Sequence, residues 1–256
     1  DDRLLTRSVL ASAVSLGASI EYDSTFIRAQ CNTGSCEVHY TQGSSSQRAS
    51  CAAMVNASGA WVNRVLQQVN PLPAALQIDL VQGTHLVLPG SLQRGMYYLE
   101  APGDRRAVFV MPWGENTLLG TTETLFTGDP ATVAPRPVEI DYLLDVHGHY
   151  FNHRYGRSDI IDAFAGLRVL PGSEKSSFHR ARDTRLHRDR DRCPRVLSIY
   201  GGKLTSYRIT AERVIEQLAL LLPTAKPKGD TRELPLLPAS QATAPAGRKG
   251  SKQDGA

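Results

Sequence analysis

Four side chains stand in settings that suit chemistry on an anionic molecule: His85, Arg168, Arg182 and Lys203. His85 closes Val81-Gln82-Gly83-Thr84-His85, just inside a strand after a glycine. An imidazole is the usual proton acceptor near neutral pH; the competing reading is a histidine satisfied in the core or exposed at a sheet edge. Arg168 lies in the apolar run Gly166-Leu167-Arg168-Val169-Leu170-Pro171. A guanidinium there needs an anion, and its planar fork matches carboxylate or phosphate, although an internal salt bridge would satisfy it equally. Arg182, in Arg180-Ala181-Arg182-Asp183, belongs to a run of alternating arginines and aspartates. Most charges in such a run form a solvated, self-compensating face.

Lys203 stands at the stretch that organises the chain. Val196-Leu197-Ser198-Ile199-Tyr200 is an apolar, β-branched run that reads as a buried strand. Gly201-Gly202 stops it, and an amphipathic helix begins near Thr205, with Ile209, Val214, Ile215, Leu218, Ala219 and Leu222 at roughly helical spacing before Pro223. A strand breaking at two glycines into a helix aims free backbone N–H groups and the positive end of a dipole at one point. That suits phosphate, carboxylate or an electron-rich ring, and Lys203 adds a full charge. A plain tight turn with a surface lysine is the simpler reading. A second turn of small residues, Asn56-Ala57-Ser58-Gly59-Ala60-Trp61, also lets backbone approach a flat ligand closely, or serves packing alone.

The 256 residues suffice for a sizeable core, and 41% hydrophobic with 21% charged residues is ordinary for a globular protein. A net charge of +4 suits an anionic small molecule or an acidic membrane surface and is too small to argue for nucleic acid, which is not an expected partner. The longest apolar runs fall far short of a membrane span. Cys31, Cys36, Cys51 and Cys193 form no CxxC pair and fit no standard metal spacing, so reduced thiols in a cytoplasmic protein and no metal site are expected.

Along the chain the pattern predicts a helix over 1–16, strands over 18–29, 37–41 and 51–56, and a short helix ending before Pro71. A meander follows, with strands at 78–81, 85–88, 97–99, 107–111 and 117–119 and turns at Pro89-Gly90, 102–104 and 113–116. A helix over 138–151 and a strand over 160–169 lead to the arginine-rich stretch 179–195 and the organising segment. Residues 239–256 read as disordered. This order implies a nucleotide-type domain interrupted by an antiparallel sheet, with a pocket between the layers. No GxGxxG or P-loop spacing occurs.

Eight segments together resemble the flavin-dependent, aerobic and quinone-linked glycerol-3-phosphate dehydrogenases. They are Val55-Asn56-Ala57-Ser58-Gly59-Ala60-Trp61-Val62, Gly83-Thr84-His85-Leu86-Val87-Leu88-Pro89, Val108-Phe109-Val110-Met111-Pro112-Trp113, Leu119-Gly120-Thr121-Thr122-Glu123, Gly128-Asp129-Pro130, Ile140-Asp141-Tyr142-Leu143-Leu144, Ala165-Gly166-Leu167-Arg168-Val169-Leu170-Pro171 and Ser198-Ile199-Tyr200-Gly201-Gly202-Lys203-Leu204-Thr205-Ser206-Tyr207-Arg208. Any one would be a weak signal; eight in family order are a strong one. Ser58, Ala60 and Val169 depart mildly from the family pattern, which has alanine, proline and proline there.

The resemblance implies an α/β (α+β) fold like that of the amino-acid oxidases. An incomplete Rossmann-like FAD-binding domain (1–75 and 171–223) is interrupted by an antiparallel-sheet substrate domain (76–170), with a polar tail over 224–256. It implies oxidation of glycerol 3-phosphate to dihydroxyacetone phosphate by hydride transfer to FAD, with electrons passed to membrane quinone by a cytoplasmic protein peripherally bound to the inner membrane. His85 matches the general base, Lys203 and Arg168 the other catalytic positions, and Arg168 and Arg182 the cations for the phosphate. Ser58, Gly59, Trp61, Gly201, Gly202, Lys203, Leu204 and Thr205 match the flavin-side turns. The family's GxGxxG segment and C-terminal helical domain have no counterpart here. The chain is therefore expected to be the middle of a longer enzyme and, alone, to bind FAD weakly. The alternatives are a flavin oxidase of another hydroxy or amino compound, or a non-catalytic remnant serving as a binding module.

Overall fold

The structure, a computed structural model, describes residues 2–172, 183–224 and 226–241. Helix α1 (Asp2–Ser15) leads into β1 (Ser24–Cys31), β2 (Cys36–Gln42), β3 (Ser45–Cys51) and β4 (Met54–Asn56). A 3-10 turn and the short helix α2 (Val62–Leu66) precede β5 (Val69–Asn70), β6 (Ile78–Pro89), β7 (Tyr97–Glu100), β8 (Ala107–Trp113), β9 (Asn116–Gly120) and β10 (Thr124–Phe126). Then come α3 (Pro137–Tyr150), β11 (Asp162–Pro171), β12 (Arg185–Arg188), β13 (Val196–Tyr200) and α4 (Tyr207–Leu218). These build three sheets, ordered β3-β2-β1-β5, β10-β6-β9-β8-β7 with β11 also on β6, and β12-β13-β4. Among the described residues no helix is long and apolar enough to cross a membrane.

Strand β6 is the spine of the large sheet. Its even-numbered side chains point to α3: Leu86 and Leu88, both fully buried, pack in one cluster with Leu143 and Val146, and Gln82 and Thr84 hydrogen-bond Glu139. Burying a leucine contributes about 1.5–3 kcal/mol, and a slip of one residue would turn this set outward. The opposite, odd-numbered face, which carries Val81, Gly83, His85 and Val87, is thereby fixed as well.

Tyr200, fully buried at the end of β13, ties the small sheet to the large one. Its hydroxyl donates to Asn63 Oδ1 at 2.8 Å and accepts from the Leu76 amide at 3.3 Å, just ahead of β6. Burial raises the Tyr200 pKa, so the phenol stays a donor at neutral pH.

The structure departs from the sequence reading at several places. Strands expected at 78–81 and 85–88 are one strand, because β11 pairs with β6 along its whole length from Ile78↔Pro171 to Val87↔Asp162. Ser45–Cys51 is a further strand, zipped onto β2, that the sequence reading did not expect. Cys31 and Cys36 are not reduced thiols but a disulfide, since the β1–β2 register places them directly opposite each other; Cys51 and Cys193 are free.

The arginine-rich stretch is only partly a solvated face. Arg190 pairs with Asp189 at 2.9 Å, but Arg195 is 8% exposed and donates to the carbonyls of Ala52 and Thr33. Asp189 in turn accepts from the Arg195 and Val196 amides. Part of the stretch expected to be disordered is seated on α1: Ala239–Gln241 form a 3-10 turn, and the Leu237 amide donates to Ser12 Oγ at 2.9 Å. Residues from 242 onward, like Arg182, lie outside the described residues.

Candidate active site

The two small-residue turns meet because β13 and β4 are parallel neighbours, with Ser198 opposite Asn56. Their carboxyl ends open on one edge, the usual place for a ligand crevice beside parallel strands. Asn56 holds the first turn: its Nδ2 donates to the Val62 carbonyl at 2.9 Å and its Oδ1 accepts from Ser58 Oγ at 2.6 Å. The second turn needs its glycines. Gly201 and Gly202 have φ of +68° and +91°, and a Cβ on Gly202 would lie 2.4 Å from Thr184 Oγ1. With β11 alongside, the turns enclose a cleft of about 520 Å³. It is lined by Ala57, Gly59, Gly201, Gly202, Lys203 and Leu204, by Leu167, Arg168, Val169 and Leu170, and by Ile199 and Asp2.

Two further glycines seat Arg168 and His85 beside this cleft. The Arg168 guanidinium lies over Gly83, where an added Cβ would be 3.0 Å from its Nη2 and 2.5 Å from Thr121 Oγ1. Its Nη1 pairs with Glu123 Oε1 at 3.2 Å and its Nη2 donates to Thr121 Oγ1 at 3.3 Å. The salt-bridge reading of Arg168 is thus realised at the margin of the cleft it lines. Gly83→Ala is expected to push Thr121 and the guanidinium off the sheet and to destabilise the fold by about 1–3 kcal/mol. Denaturant unfolding checks this, and unchanged stability would show that the seat is unimportant.

His85 lies on the same face of the sheet. Its ring covers Gly120, where a Cβ would come 2.3 Å from Cδ2, and stacks on Phe164 with centroids 5.2 Å apart. Burial first, and then the charge of Arg168, lower its pKa from the ordinary 6.5, against a smaller opposing pull from Asp2. The imidazole is therefore neutral, and able to accept a proton, at neutral pH.

Of the residues singled out from sequence, Arg168, Gly59, Gly201, Gly202, Lys203 and Leu204 share the cleft lining. His85 is near enough for the charge of Arg168 to act on it. Ser58, Trp61 and Thr205 sit on the same turns but outside the lining, and Trp61 is 41% exposed. Sequence reasoning missed Thr121 and Glu123 as partners of Arg168, Asp2 at the cleft, and the buried Glu139. The polar run Thr121-Thr122-Glu123-Thr124, between β9 and β10, was the available signal.

A flat ring system suits this cleft. Its turns present Gly59, with φ +58° and nothing within 4 Å of an added Cβ, together with Ala57 and the glycine pair, so backbone rather than side chain forms the wall. The sequence pattern of the DAO family, FAD dependent oxidoreductase, matches residues 1–214, and the chain belongs to that family.

Among its relatives, the chain is similar to the aerobic glycerol-3-phosphate dehydrogenase of Escherichia coli (strain K12), 36% identical over 169 residues that make up 64% of this chain and 34% of the relative. It is also similar to the glycerol-3-phosphate dehydrogenase of Pseudomonas tolaasii, 33% identical over 89% of this chain and 45% of that one. The crystal structure of the glycerol-3-phosphate dehydrogenase from Bacillus halodurans, complexed with FAD, superposes with a TM-score of 0.73 at 26% identity, covering 86% of this chain and 43% of that one. The chain spans less than half the length of each of these relatives.

Proposed function

We propose that the chain is the central part of an FAD-dependent glycerol-3-phosphate dehydrogenase, which oxidises the secondary alcohol of sn-glycerol 3-phosphate to dihydroxyacetone phosphate. The observation that carries the reading is the placement of Arg168 and Lys203 in one backbone-walled cleft, with a neutral His85 on the same sheet face as Arg168. The names of the relatives support the substrate. On this reading residues 1–75 and 171–223 build the flavin side, and 76–170 the substrate side.

Arg168, with Arg182 as its expected partner, binds the phosphate. Lys203 adds positive charge between phosphate and flavin sides. His85 Nε2 or Nδ1, whichever lacks hydrogen, accepts the proton of the C2 hydroxyl as the C–H bond gives up its electron pair. The turns at Ser58, Gly59 and Trp61 and at Gly201 to Thr205 would hold FAD, which would supply the acceptor for that hydride. Membrane quinone would be the final acceptor, with the protein bound peripherally at the cytoplasmic side of the inner membrane.

A base with a depressed pKa sets the pH profile. His85 is protonated only below its ordinary 6.5, so kcat/KM of the flavin-loaded protein is expected to hold steady through neutral pH and to fall on an acid limb below 6.5. A limb well above that value would remove His85 as the base. The reading as a whole is tested by turnover of the flavin-loaded, full-length enzyme that contains this chain, with a dye acceptor and with glycerol 3-phosphate, glycerol and amino acids in parallel. Glycerol 3-phosphate is expected to be oxidised with a far higher kcat/KM than the others. Preference for an amino acid or free glycerol would give the site to another flavin oxidase, and no turnover with any of them to a binding module.

A further inference from the structure

Glu139, on the first turn of α3, is 3% exposed and lies on the side of the large sheet away from the cleft. Five donors converge on it. Thr122 and Thr124 hydroxyls reach Oε1 at 2.9 and 2.8 Å; Thr84 Oγ1, Gln82 Nε2 and the Arg136 amide reach Oε2 at 2.8, 2.5 and 3.2 Å. A buried carboxylate is tolerated only when so fully paired, and removing one partner is costly.

Along 121–124, the stretch that joins β9 to β10, successive side chains take alternate partners. Thr122 and Thr124 go to Glu139, while Thr121 and Glu123 go to Arg168 on the other face. We propose that Glu139 is a positioning residue for Arg168: it pins this segment from behind the sheet, and the segment holds the guanidinium over the cleft. Burial pushes the Glu139 carboxyl up, but hydrogen bonds from Thr124, Thr84, Thr122 and the Arg136 amide together hold it below the ordinary value. The anchor is thus ionised at neutral pH. The consequence for turnover rests on the phosphate-binding role given to Arg168; the coupling itself does not.

The test follows the Arg168 Nε–H resonance in 15N-arginine-labelled protein, identified by its loss in Arg168→Lys. Thr124→Val and Thr84→Val each delete one 2.8 Å hydroxyl bond to Glu139, but only Thr124 belongs to the segment that grips Arg168. Thr124→Val and Glu139→Gln are expected to move the resonance by more than its line width, and Thr84→Val to leave it. A signal unmoved by Thr124→Val, or moved equally by Thr84→Val, would overturn the proposal even if Glu139→Gln did not fold. In flavin-loaded protein, Thr124→Val is expected to raise KM for glycerol 3-phosphate about threefold with kcat unchanged, and Thr84→Val to leave both. Should the wild type ignore glycerol 3-phosphate while the resonance pattern holds, the substrate assignment falls and the coupling stands.

Discussion

His85→Ala is expected to lower kcat for glycerol 3-phosphate oxidation by about 10²–10⁴-fold, the range for loss of a positioned general base, with KM changed far less. The ring touches the substrate's reacting hydroxyl in the proposed reaction, but its contribution to ground-state binding is one hydrogen bond. The site is built around the ring: Gly120 leaves room beneath it and Phe164 stacks against it. Alanine removes the proton acceptor without removing a charge, because burial and Arg168 keep the imidazole neutral. Steady-state kinetics separate the two parameters. An equal loss through KM, with kcat intact, would make His85 a binding residue and leave the reaction without a base.

Arg168→Ala is expected to act the other way, raising KM for glycerol 3-phosphate by about 10–100-fold, the worth of one or two charge-assisted hydrogen bonds, with kcat falling only a few-fold. Arg168→Lys should recover little, since an ammonium cannot reproduce a fork held by Glu123 and Thr121 together. The alanine variant carries a second signature. Arg168 is the second cause of the lowered His85 pKa, so its removal should move the acid limb of kcat/KM upward, toward 6.5. A raised KM with an unmoved limb would separate phosphate binding from the charge coupling. An unchanged KM would remove Arg168 from the substrate site.

The glycine turn that lines the cleft was legible because its residue types sit next to one another in sequence. Gly201, Gly202 and Lys203 interrupt a run of β-branched residues, and the interruption is local in sequence. What escaped detection is held together across long separations. Gly83 reads locally as a break, and the strand continues through it only because β11, some eighty residues later, pairs with it on both sides. That glycine is there to seat Arg168, a contact no window around it contains. Glu139 reads as an ordinary first-turn acid of a helix, and its partners lie from 3 to 57 residues away. The Cys31–Cys36 pair was missed for a related reason: the spacing fits no metal pattern, and only the hairpin register sets the two thiols opposite each other.

The most direct test is the crystal structure of the flavin-loaded protein with dihydroxyacetone phosphate bound. The phosphate is expected within hydrogen-bond distance of the Arg168 guanidinium, and the C2 carbonyl oxygen beside the His85 ring. A phosphate seated on other cations, with Arg168 still turned wholly to Glu123 and Thr121 and His85 far from C2, would contradict the account.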